Sequence, residues 1–180
     1  MNTDLSKYDN SWSNPAGNSI KRFCWYFTNL LFLKSHWNPI SKLKIAVLRV
    51  FGAKIGKGVV IKPGVSVKYP WLLTIGDNTW IGEDVWIDNL AQVTIGSNCC
   101  ISQGAMLLCG NHNYKLPSFD LIVKPITIAD GAWVGAKCVV CPGVDVGHEA
   151  VLSVGSIATK SISDQTICQG IPALSKARRI

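Results

Sequence analysis

A chain of 180 residues that is 48% hydrophobic and 16% charged is long enough to bury one core and too apolar to be disordered. Its 18 Lys and Arg against 11 Asp and Glu give a net charge of +7, which favours an anionic partner (nucleic acid, phospholipid or a phosphorylated cofactor) without choosing among them. Seven Cys, an odd number with no secretory signal ahead of them, favour a reducing cytoplasm, and no apolar run approaches the ~20 residues of a spanning helix.

Residues 1–54 form a first unit, with a helical segment inside it. The stretch "SIKRFCWYFTNLLFLKSHW" sets Phe23, Phe27, Leu30 and Leu31 at helical spacing, while Trp25, Tyr26 and Phe32 make the other side apolar too. Such a helix must be covered, and packing over the end of the domain or against another subunit is the expected solution. Flanking Lys21, Arg22 and Lys34, together with the tryptophans, give a second reading: shallow peripheral contact with the inner face of a membrane.

From Ile55 a six-residue beat begins. Bulky aliphatics fall at Ile55, Ile61 and Val67, then at Ile75, Ile81, Ile87 and Val93, then at Ile95, Ile101 and Leu107, and again at Ile128, Val134, Val140, Val146 and Leu152. Four places after each stands a small or β-branched residue, among them Val65, Thr79, Val85, Cys99, Ala105, Cys138 and Ala150. Even offsets share a face of a strand, so both positions point inward, and Gly, Asn and Asp are left for the corners. The pattern predicts an all-β solenoid over residues 55–162. It also places Cys138 in an inward slot and Cys141 at a corner, so Cys138-x-x-Cys141 reads as packing rather than a metal or redox pair.

The beat fails once, in a loop spanning 108–126. Asn111, His112, Asn113, Tyr114, Lys115, Ser118 and Asp120 crowd into it, and a polar excursion from a rigid scaffold is the usual place for binding or catalysis. His148 and His36 lie at a corner and in the first unit, where they read as exposed or packing residues. For an acceptor, Trp86, Asp88 and Asn89 combine a stacking ring with a carboxylate and an amide, and Asn111 and Tyr114 are further candidates. Residues 163–180 remain as a basic C-terminal tail.

Five segments in order, "LRVFGAKIG", "YPWLLTIGDNTWIGEDVWIDN", "TIGSNCCISQGAMLLCGNHNY", "PITIADGAWVGAKCVVCPGV" and "GSIATKSI", resemble the left-handed parallel β-helix acyltransferases. Within these the chain is most similar to the colanic acid (exopolysaccharide) biosynthesis acetyltransferases, near the maltose and galactoside O-acetyltransferases. The resemblance implies a triangular prism with three hexapeptides per coil and a homotrimer with active sites at subunit interfaces. The left hand, an exception to the usual crossover rule, is likewise implied only by the family. It further implies acetyl-CoA as co-substrate, no metal and no nucleic acid, and the histidine of Gly110-Asn111-His112 as catalytic base. Motif matching carries the donor site to Ala136, Val154, Thr159 and Lys160, with Lys160, Lys176, Arg178 and Arg179 as phosphate partners. After Gly170-Ile171-Pro172-Ala173 this chain has Leu174-Ser175, so its tail cations stand displaced from the family pattern.

The expected activity is transfer of acetyl to a sugar or oligosaccharide hydroxyl by direct attack, with Cys109 as the rival nucleophile. N-acetylation of an amino sugar is the alternative on the same fold. A metal-dependent hydratase resembling gamma-type carbonic anhydrases needs more clustered histidines, and a non-catalytic scaffold would have no use for the His112 loop.

Overall fold

The computed structural model describes residues 2–12 and 18–179; residues 1, 13–17 and 180, which fall in the first unit and the tail, lie outside the described residues. The repeat folds as the expected left-handed parallel β-helix. Each hexapeptide gives a strand of two or three residues and a turn, because Asn78, Asp84 and Asn98 take positive φ of 55–56° and Gly58, Gly64 and Gly104 do so elsewhere. Lys137, Glu149 and Gln165 adopt the same conformation without the side chain that usually favours it.

The first face of the prism stacks Lys54–Ile55, Leu73–Ile75, Val93–Ile95, Ile126–Ile128 and Asp145–Val146. The second stacks Val60–Ile61, Trp80–Ile81, Cys100–Ile101, Trp133–Val134, Val151–Leu152 and Thr166–Gln169. The third stacks Ser66–Val67, Trp86–Asp88, Met106–Leu108, Val139–Val140 and Ile157–Ala158. The beat aliphatics from Ile61 to Leu152 are buried and superpose in register, as in Ile61, Ile81, Ile101, Val134 and Leu152. Burial of each contributes on the order of 1.5–3 kcal/mol. Val134 pairs with Leu152, 18 residues on, whereas Ile101 pairs with Val134, 33 residues on, so the loop adds 15 residues to one coil.

A stack of strands leaves unpaired backbone at its open end, and the N-terminal unit meets that need on all three faces. Helix α1 (Ser19–Thr28) runs on through a π turn at Asn29–Leu33, and α2 (Ser41–Val50) follows. On the first face Arg49 Nη2 donates to the carbonyls of Ile55 and Gly56, at 2.7 and 2.9 Å. On the second, Ser41 Oγ accepts from Ile61 N–H at 2.8 Å and Lys44 Nζ donates to the Ile61 carbonyl at 3.3 Å. On the third, Trp25 Nε1 donates to the Val67 carbonyl at 2.9 Å.

The unit does pack over the solenoid end, but through Trp25 and Leu33; Phe23, Phe27, Leu30 and Leu31 face outward. The physical reason is that capping needs a donor, which Trp25 supplies and the phenylalanines lack. The C-terminal tail is not loose either. Thr166–Gln169 continues the second face in parallel, and Leu174–Arg178 returns antiparallel beside it, so the solenoid extends beyond residue 162.

Candidate active site

After Met106–Leu108 the chain leaves the coil as an antiparallel hairpin, Gly110–His112 against Leu121–Val123, with His112 opposite Leu121. Lys124 N–H closes its base on the Cys109 carbonyl at 2.9 Å, and Asn113 N–H closes its tip on Asp120 at 2.8 Å. The N-terminal segment lies against it, Asp4 N–H donating to the Pro117 carbonyl at 2.8 Å.

His112 is held from two sides. Its Nδ1 is 2.8 Å from the Phe119 carbonyl oxygen, and its ring stacks on that of Phe119 with centroids 4.4 Å apart and planes 10° from parallel. A carbonyl only accepts, so Nδ1 carries the proton of the neutral ring and Nε2 is the nitrogen available to accept one. The Tyr8 ring lies 5.6 Å away, tilted. His112, Asn111, Gly110, Tyr8, Asn10, Lys68, Tyr69, Leu90, Leu121 and Asp88 line one cleft of about 460 Å³.

Asp88 closes the strand Trp86–Asp88 on the outward side, and its carboxylate is 15% exposed. Lys68 Nζ stands 2.9 Å from Asp88 Oδ1; an ion pair, but no hydrogen bond, serves that buried oxygen among the described residues. Trp86 shares Asp88's side of the strand and lines a second groove that meets the first at Lys68, Tyr69 and Asp88.

Asn89 does not belong with them. It is fully buried, its Oδ1 accepting from Lys68 and Tyr69 N–H at 3.1 and 3.0 Å and its Nδ2 donating to the Tyr69 and Leu72 carbonyls. All its capacity goes into holding the corner that carries Tyr69, which corrects the expectation that it binds the acceptor. Tyr114 is also placed away from the cleft, 75% exposed at the hairpin tip. Tyr8, Lys68, Tyr69 and Phe119 were not legible as site residues, since three arrive from other coils or the N-terminal unit and Phe119 acts through its backbone as well as its ring.

The expected donor residues separate into groups. Ala136 and Val154 line one groove of about 400 Å³ with Trp133, Ser102 and Gln103, at the corner between second and third faces. Thr159 and Lys160 are exposed at the corner between third and first faces, the edge that also bears the His112 hairpin. In the tail, Arg178 donates to Gln165 Oε1 at 2.7 Å, and Arg179 pairs with Glu149 at 2.9 Å, so both are engaged in fastening the last strand. Lys176 is exposed. Cys109, beside the hairpin, is buried, and desolvation pushes its thiol up to about 11. Among the described residues no group of three His, Cys, Asp or Glu could hold a metal ion, and no helix is long and apolar enough to cross a membrane.

Known proteins can now be set beside this geometry. Residues 73–109 and 125–160 match the family model described as the hexapeptide repeat of succinyl-transferase, and the gap between the two segments is the His112 hairpin. The Escherichia coli (strain K12) protein WcaF, provisionally named a colanic acid biosynthesis acetyltransferase, is 36% identical over 98% of this chain and 97% of its own. The chain belongs to the hexapeptide-repeat acetyltransferases. The galactoside O-acetyltransferase of the same E. coli strain is 30% identical over 78% of this chain and 70% of its own. A galactoside acetyltransferase solved in complex with coenzyme A superposes with a TM-score of 0.79 at 26% identity, covering 89% of this chain and 82% of that one. The hexapeptide-repeat acetyltransferase VCA0836 of Vibrio cholerae has the same fold, with a TM-score of 0.81 at 23% identity over 92% and 95% of the two chains. In this hexapeptide-repeat acetyltransferase, then, a single chain puts its histidine hairpin and its Ala136–Val154 groove on two different edges of the prism, with the third face between them.

Proposed function

We propose that the protein transfers acetyl from acetyl-CoA directly to a sugar hydroxyl, with His112 as general base, in the synthesis of a surface or extracellular polysaccharide. The observation that carries this reading is the 2.8 Å contact between His112 Nδ1 and the Phe119 carbonyl, which leaves Nε2 as a proton acceptor in the cleft that Asp88 also lines. An alcohol is a poor nucleophile until its proton leaves, and imidazole, with an ordinary pKa of about 6.5, takes one near neutral pH. As Nε2 accepts that proton, the hydroxyl oxygen bonds to the thioester carbonyl carbon. The C–S bond then breaks and the histidinium returns the proton to the leaving sulfur, giving an acetyl ester and a CoA thiol.

Direct transfer is supported by Cys109, whose buried thiol, raised to about 11, is a poor source of thiolate. For the acceptor, the Asp88 carboxylate that lines the His112 cleft suits a sugar hydroxyl, and Trp86 offers a ring to stack on. For the donor, the short apolar side chains of Ala136 and Val154 suit the pantetheine arm of a CoA thioester, and a galactoside acetyltransferase of similar fold was solved with coenzyme A bound. Thr159 stands beside Lys160, and Lys160 and Lys176, both exposed, are the expected cations left for its phosphates, with Arg178 already occupied. Because groove and hairpin occupy different edges, the complete site is assigned to two copies of the chain in a homotrimer. The cytoplasm supplies acetyl-CoA and keeps the seven cysteines reduced.

Calorimetric titration of acetyl-CoA into wild type and His112→Ala, followed by CoA release with a panel of sugars, tests the reading. Both proteins bind the donor, and the variant loses turnover by on the order of 10² to 10⁴. Full turnover by the variant would remove His112 from the chemistry. Binding by neither protein would remove acetyl-CoA.

A further inference from the structure

The outward side of α1 and of the π turn that continues it is apolar as well. Ile20, Phe23, Phe27, Leu30 and Leu31 recur at helical spacing and are 72%, 66%, 46%, 46% and 55% exposed, while Trp25 and Leu33 on the opposite side bury themselves in the solenoid end. Trp37 extends the patch, 64% exposed, its indole N–H donating to the Leu31 carbonyl at 2.9 Å. A helix that has satisfied its packing on one side and still shows water a continuous aromatic and aliphatic stripe has a second surface to meet.

Charge says what that surface is. Residues 10–76 hold more than half of the 18 Lys and Arg and no Asp or Glu, and the exposed carboxylate that reaches this unit from another coil, Asp84, stands 2.9 Å from His36. Arg22 and Lys34, both exposed, stand at the margins of the stripe. Two copies meeting through this face would set those cations against one another, which disfavours self-association. An anionic lipid surface complements both features: rings and leucines enter the headgroup boundary, Trp37 sits where indoles concentrate, and each cation near the surface adds about 1 kcal/mol.

We propose that this face of α1 docks the protein on an anionic bilayer surface. Tyr26, Leu30 and Lys34 also wall the groove that runs past Lys68 and Trp86 to Asp88, so the docked face lies at the mouth of the acceptor cleft. An acceptor sugar carried on a lipid would then reach His112 without leaving the surface, a consequence that rests on the proposed sugar transfer; docking itself does not.

Vesicle flotation separates the two. The full chain should float with phosphatidylcholine vesicles containing about one third phosphatidylglycerol, float poorly with phosphatidylcholine alone, and be released at about 0.5 M salt. The triple variant Phe23→Ser, Phe27→Ser, Leu31→Ser and, separately, the pair Arg22→Glu, Lys34→Glu should each bind at least about tenfold more weakly, with unchanged circular dichroism and unchanged mass by light scattering. Failure of wild type to float overturns the proposal, as does flotation of the triple variant at the wild-type level. A change of oligomeric mass in the triple variant overturns it in favour of a subunit interface. None of these outcomes depends on whether acetyl transfer occurs.

Discussion

His112 and Phe119 meet twice: the imidazole Nδ1 lies 2.8 Å from the Phe119 carbonyl oxygen, and the two rings stack with centroids 4.4 Å apart. Phe119 does both from a backbone with a positive φ of 53°. That conformation costs a non-glycine residue on the order of 1 kcal/mol, and the stack offsets it. Phe119→Ala keeps the carbonyl but loses the ring that fixes the imidazole plane. It should lower kcat by about tenfold while leaving the KM for acetyl-CoA unchanged, a smaller loss than removal of the base. Steady-state kinetics check this; an unchanged kcat would reduce Phe119 to a loop residue.

Asp88 is expected to act on the acceptor and not on the donor. Asp88→Asn preserves shape, removes the charge that Lys68 pairs with at 2.9 Å, and weakens acceptance of a hydroxyl. The acceptor kcat/KM should fall about 10- to 100-fold with acetyl-CoA affinity intact. Since Lys68 is 41% exposed, the stability change should stay within about 1 kcal/mol. A matching loss of acetyl-CoA affinity by calorimetry would move Asp88 to the donor side.

Thiol reactivity distinguishes direct transfer from an acetyl-cysteine intermediate. With a thiol raised to about 11, Cys109 is thiolate in roughly one molecule in ten thousand at pH 7, whereas Cys24 is exposed. Iodoacetamide should label Cys24 first and leave Cys109 intact in peptide mass spectra, and Cys109→Ala should retain turnover. Labelling of Cys109 in step with loss of activity would reverse the assignment.

The solenoid was legible because its rule is local and repeated: the aliphatic beat from Ile61 to Leu152, buried throughout, follows from six-residue spacing and the alternation of side chains on a strand. His112 was legible for the opposite reason, as a polar residue where that rule fails. The rest of the cleft obeys no rule along the chain. Lys68 and Asp88 are 20 residues apart and meet because coils stack, and Tyr8 comes from the N-terminal unit. Asn89 misled because a polar residue at a corner looks the same in sequence whether its amide serves a ligand or the backbone; only its burial and four hydrogen bonds separate the two. The apolar residues of α1 gave the helix but not its orientation, since both sides were apolar and capping chose the one with Trp25.

Lys44 is a fully buried lysine whose Nζ has the Ile61 carbonyl as a partner at 3.3 Å. Desolvation first, and the neighbouring Lys62 second, hold its pKa below the ordinary 10.5. The unfolded chain therefore binds the proton more readily than the fold, and stability rises with pH between the lowered value and 10.5. Below that window the fold carries the whole penalty. Lys44→Met removes that penalty together with the donor that caps the Ile61 carbonyl, so its Tm relative to wild type should be most favourable at neutral pH, with the gain over wild type shrinking as pH approaches the lysine range. Paired thermal melts across pH check the sign, and a gain that grew with pH would contradict it.

The separation of His112 from the Ala136–Val154 groove makes a prediction about mixtures. His112→Ala destroys the base on one edge, and Ala136→Trp fills the donor groove on another, so each protein alone should be inactive. If every site draws its base from one copy and its groove from the next, subunits mixed in equal amounts and allowed to exchange will recombine at random. An intact edge meets an intact edge at about one junction in four, so about a quarter of wild-type turnover should return. If instead one chain builds its own site, no pairing of the two variants places an intact base and an intact groove together, and mixing restores nothing. The recovered fraction, read as CoA release before and after subunit exchange, decides between these arrangements without needing the identity of the natural sugar, provided any acceptor supports turnover.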